Sequence, residues 1–62
     1  MNCDQMDRDE AIRKAIGVLQ SQGGRPRRTV VETLVDDLLA GGAPQTYGER
    51  LVQMTLQREG FI

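Results

Sequence analysis

The 62-residue chain contains no histidine and no tryptophan, and only one cysteine, one phenylalanine and one tyrosine. Without histidine the commonest general base near neutral pH and the commonest metal ligand are both missing, and one cysteine cannot anchor a zinc site by itself. A single thiol also excludes an intramolecular disulfide. Cys3 therefore reads as an incidental thiol near a chain end, and a reduced, cytoplasmic setting is the simplest expectation. No apolar run approaches the roughly 18 residues of a membrane span, and the opening Met1–Met6 lacks the basic region and apolar stretch of a secretory signal. An excess of charge is lacking too. Eight basic and nine acidic side chains give a net charge of -1, so no global field draws the chain to nucleic acid or an anionic membrane.

A chain this short is marginal as a monomer. Folding buries about 6,000 Å². The apolar part of that contributes about 90 kcal/mol, against about 93 kcal/mol for ordering the chain. The near-zero balance points to a marginal monomer or to a protomer completed by a partner, and it leaves almost no room for a substrate cavity of several hundred Å³.

What is present is helical punctuation. Asp7 to Glu10, Thr29 to Glu32 and Thr46 to Glu49 each set a capping residue three positions before a glutamate, the spacing of a capping box. Gly23-Gly24, Gly41-Gly42 and Gly60 supply residues suited to a helix C′ position. The reading is one all-α, three-helix domain with helices at about 8–22, 30–40 and 47–59, short Gly/Pro-containing connections and a disordered lead over residues 1–6. In the first helix Ile12, Ala15, Ile16 and Leu19 recur at helical spacing, flanked by Ala11 and Val18. Asp9 to Arg13 and Glu10 to Lys14 are set for i,i+4 pairing on the other side. The second helix has the widest apolar arc, about 180°, from Val30, Val31, Leu34, Val35, Leu38 and Leu39. That width predicts a central helix touching both neighbours, or one neighbour and a second subunit. On the third, Gly48 and Thr55 beside Leu51, Val52 and Leu56 allow close approach of another helix.

Catalytic constellations are missing. Hydroxyl nucleophiles would have to come from Ser21, Thr29, Thr33, Thr46, Thr55 or Tyr47, and the first three have simpler uses as backbone partners near helix ends. Glu32 and Asp36 share a face at i,i+4, but a hard cation wants six or more oxygens and no EF-hand spacing is present. No glycine pair matches a phosphate loop. The expectation is a non-enzymatic protein with no metal, no cofactor and no small-molecule substrate.

The primary functional reading is a small regulatory or adaptor protein that binds protein, as a homodimer or with a distinct partner, through an apolar helical surface. Its expected contact residues are Val31, Val35, Leu38, Leu39, Tyr47, Met54, Phe61 and Ile62, with the arginine-rich loop as a charged rim. Of Leu38 and Leu39, one should serve the core and the other a partner. Phe61 and Ile62, directly after Gly60, are either the apolar contact of a glycine cap or an anchor.

The alternative is a helix-turn-helix-like DNA-binding regulator. Arg50, Gln53 and Gln57 on the third helix are residue types that read bases, and Arg25, Arg27 and Arg28 are placed to hold phosphate. The segment Leu51-Val52-Gln53-Met54-Thr55-Leu56-Gln57-Arg58-Glu59-Gly60-Phe61-Ile62 resembles the third helix and following Gly-apolar step of winged-helix domains, and that resemblance implies DNA binding. Against it stand Glu49, expected on the exposed side where it would repel phosphate, and a connection around Gly41, Gly42 and Pro44 that is looser than a compact helix-turn-helix turn.

Overall fold

The computed structural model describes the backbone over residues 3–62 and side chains over 7–62. Its order is α1 Cys3–Ser21, α2 Arg28–Leu39 and α3 Tyr47–Arg58, with no strand among the described residues. The domain is all-α with three helices, as expected. Among the described residues no helix is long and apolar enough to cross a membrane.

Two helix starts differ from expectation. α1 begins at Cys3, five residues ahead of residue 8, so the irregular lead expected over 1–6 does not extend past the start of that helix. Met1 and Asn2 lie outside the described residues. The segment Cys3–Asp7 has neither glycine nor proline, so nothing halts the helix there, and Asp7 is an interior residue instead of a cap. α2 begins at Arg28 with Arg27 as N-cap, in extended conformation (φ -85, ψ 138) and with no side-chain cap. Pro26 sets an extended approach, and hydrogen bonding starts as soon as geometry allows, with the Val31 N–H donating to the Arg27 carbonyl at 3.0 Å. The Thr29–Glu32 box therefore does not form. Thr33 Oγ1 donates to the Thr29 carbonyl, and Glu32 accepts from Arg28 Nε at 3.0 Å.

The third start is as expected. Thr46 Oγ1 accepts the Glu49 N–H at 3.1 Å, while Glu49 Oε1 reaches one residue further out than a standard box and accepts the Gln45 N–H at 2.9 Å. Thr46→Ala should cost about 1 kcal/mol. In a domain of this size that lowers the thermal midpoint by about 4–8 °C, a shift readable by circular dichroism.

All three glycine stops are used. At each, the glycine N–H and the next N–H close a Schellman pair onto the last turn: Gly23 to Gln20 and Gly24 to Leu19, Gly41 to Leu38 and Gly42 to Asp37, Gly60 to Gln57 and Phe61 to Leu56.

The middle helix of the packing is α1. Both α2 and α3 lie against it, and they touch each other only marginally. This corrects the expectation that the broadly apolar α2 packs on both neighbours; of the alternative, one neighbour and a second subunit, the one neighbour is α1. α1 presents Ala11 and Ala15 beside Ile12, all fully buried, and such small side chains let two helices approach one face. α3 comes close at Gly48, where an added Cβ would sit 3.2 Å from Leu19 Cδ2. Val31, Val35 and Leu38 from α2 and Val52 and Leu56 from α3 complete the core, and no described buried side-chain polar atom lacks a partner.

Apart from Arg28–Glu32 within α2, the surface ion pairs among the described residues join different elements. Arg8 holds Asp36 through two bonds, Nε–Oδ1 at 2.7 Å and Nη2–Oδ2 at 2.9 Å. Asp9 takes Arg28 at 3.5 Å and Lys14 takes Glu59 at 3.7 Å, in place of the i,i+4 partners expected within α1. These pairs are solvated, so they orient the helices more than they stabilise them.

Candidate interaction surface

The apolar residues expected at an interface divide three ways. Val31, Val35 and Leu38 are core, with Leu38 only 2% exposed, and are withdrawn from the interface because α1 already covers the face they form. Leu39 and Phe61 are half-buried and pack against that core, lining one depression beside Arg8. Phe61 is thus the apolar contact of the glycine cap, next to buried Leu56, whose carbonyl its N–H engages at 2.9 Å. Tyr47, Met54 and Ile62 remain exposed.

Tyr47 is 71% and Met54 53% exposed, one above the other on the outside of α3. Arg50, Gln57 and Arg58 are exposed as well. At 100° per residue these five occupy an arc of about 100°. Gln53, half-buried, joins Tyr47 and Arg50 along an open depression of about 480 Å³ that continues over Pro44–Thr46. No carboxylate lies on the stripe. Glu49 is half-buried, gives one oxygen to the Gln45 N–H, lines a groove beside α2 and lies about 80° around the helix from the nearest stripe residue, Gln57.

The arginine loop is split by pairing. Arg28 is engaged by Glu32 and Asp9, whereas Arg25 and Arg27 are exposed and enter none of the ion pairs among the described residues. Arg25 and Pro26 line a depression of about 290 Å³ with Leu19, the same side chain that meets Gly48. Arg25 and the start of α3 therefore flank one end of α1.

The acidic pair of α2 is occupied. Glu32 takes Arg28, and Asp36 is held below the usual carboxylate range by the hydrogen bonds from Arg8, whose own guanidinium is held more firmly protonated by the same contact. Among the described residues no group of three or more metal-ligating side chains gathers. Compared with protein-family models, with curated proteins and with solved structures, the chain matches none.

Proposed function

We propose that the chain is a small, non-enzymatic regulatory or adaptor protein that contacts a partner protein through the outer stripe of α3. One observation carries this reading: Tyr47 and Met54 stay largely exposed over a core that is complete without them. Aromatic, methionine and arginine side chains on one accessible stripe have the composition of interface hot spots, with Arg50 and Arg58 favouring an acidic partner. A photo-crosslinking amino acid placed at Tyr47 in cells should yield adducts with protein, while the same group at exposed Gln20 on α1 should not.

Nucleic acid is the second reading, favoured by the absence of a carboxylate on the stripe and by Arg25 and Arg27, exposed and outside the ion pairs among the described residues. Titration with mixed-sequence duplex at low salt, followed by fluorescence anisotropy, separates the two. The protein-binding reading expects no sub-micromolar association. Tight binding that collapses with salt and is lost on Arg50→Ala or Gln53→Ala would reverse the ranking, because base-reading groups matter on top of phosphate contacts.

A further inference from the structure

The α3 stripe leaves the outer face of α2 without a role. Val30 is 61% exposed there, an unusual cost for a β-branched residue of weak helix propensity. On one side it borders the depression at Leu19 and Pro26, and on the other an open groove of about 550 Å³ with Leu34 in its wall and Asp37 and Glu49 at its edge. Pro26, Val30 and Leu34 thus form a short apolar strip.

The charges around this strip have a direction. Arg25 and Arg27 stand at its N-terminal end and Asp37 at its C-terminal end, and none of the three enters an ion pair among the described residues. The neighbouring charges are already used, Arg28 by Glu32 and Asp9, and Asp36 by Arg8. The unused cation at Arg27 and the unused carboxylate at Asp37 are ten residues apart, about 15 Å along a helix. A surface that reads cation, apolar, carboxylate in a line is its own complement after a two-fold rotation, because the two ends exchange. A foreign basic peptide would answer Asp37 and Glu49 and leave Arg25 and Arg27 unmatched; a second copy answers all four.

We propose that two copies pair through the outer faces of α2, antiparallel, with Val30 and Leu34 packed across the two-fold axis. Arg27 of each copy meets Asp37 of the other, and Arg25 lies towards Glu49. The apolar strip is short, so the association belongs at the weak end, with Kd on the order of micromolar. This surface is separate from the α3 stripe and stands or falls without it.

Sedimentation equilibrium from about 1 µM to about 1 mM, with circular dichroism as the folding control, tests the pairing. The wild-type chain should pass from monomer to dimer. Val30→Asp should stay monomeric with its helix content intact, since position 30 is outside the core. Arg27→Glu and Asp37→Arg singly set like charges against each other at both symmetry-related contacts and should weaken association about tenfold or more, while the double exchange restores it. A monomer throughout the range overturns the proposal. So does a dimer indifferent to Val30→Asp and to the reversals, or one abolished instead by Met54→Asp. A monomer that binds an arginine-leucine repeat peptide, and loses it on Asp37→Arg, overturns it in favour of a basic partner.

Discussion

Leu38→Ala should cost about 2–5 kcal/mol, whereas Leu39→Ala, one residue away, should cost about 1 kcal/mol or less. Leu38 is 2% exposed within the only described buried cluster, between the α1 face and the rest of the core. Removing its isobutyl group leaves a cavity that a three-helix packing of this size has little freedom to close. Leu39 sits half-buried at the core's edge near Phe61, where water already reaches. At about 4–8 °C per kcal/mol, the Leu38 change lowers the midpoint by about 8–40 °C, enough to unfold most of a chain whose folding terms nearly cancel. Thermal melts at one fixed concentration check this. Equal losses at the two positions would mean that α2 is rotated about its axis from the orientation described above.

That contrast shows where the sequence is legible and where it is not. Its apolar spacing marks Leu38 and Leu39 as members of one broad arc, yet it does not say which one the neighbouring helix covers. An arc of about 180° is wider than one packed helix hides, so its edges stay exposed. The covered part is centred on Val31, Val35 and Leu38, and Val30 is the edge left in solvent. Reading Val31 and Val35 as contact residues misplaces two core side chains and passes over Val30, while of Leu38 and Leu39, one of which is expected in the core, Leu38 is the buried one. The centre of the packing was hidden for a related reason. Breadth of apolar surface suggested α2, but two helices share a face most readily where side chains are small, and Ala11 and Ala15 give that advantage to α1.

Helix ends divide along similar lines. The Thr46 cap and the three glycine stops depend on local geometry that a few residues specify, and all were readable. The Asp7 and Thr29 boxes have the right spacing without the right setting. Upstream of Asp7 nothing ends the helix, and upstream of Thr29 the extended Arg27 has already begun one. The charges follow the same rule. Asp9 and Lys14 have plausible partners within α1, but the fold brings Arg28 and Glu59 to them, and only the three-dimensional arrangement reveals that Arg27 and Asp37 are left over.

Gly41→Val should be the most damaging change outside the core. Gly41 has φ +93, a conformation that costs an L-residue about 1–2 kcal/mol and a β-branched one more. Its N–H donates to the Leu38 carbonyl at 3.1 Å, and the Gly42 N–H donates to the Asp37 carbonyl at 2.8 Å, so relaxing the backbone breaks the pair of bonds that closes α2. An added Cβ at Gly41 meets nothing within 4 Å, so the penalty is conformational and no neighbour can relieve it by moving. Gly42→Ala is the control. Its Cβ would fall on the Asp37 carboxylate, the end of a flexible, exposed side chain that can swing aside, and its φ is not in the left-handed region. The expected result is a loss of about 2 kcal/mol or more for Gly41→Val, or about 8–16 °C in midpoint, and about 0.5 kcal/mol or less for Gly42→Ala. Amide exchange should show the Gly41 variant opening first in the last turn of α2, where Leu38 leaves the core. Equal, small effects at both positions would mean that the packing of Leu38 and Leu39 sets the end of α2 and that the glycine merely accommodates it.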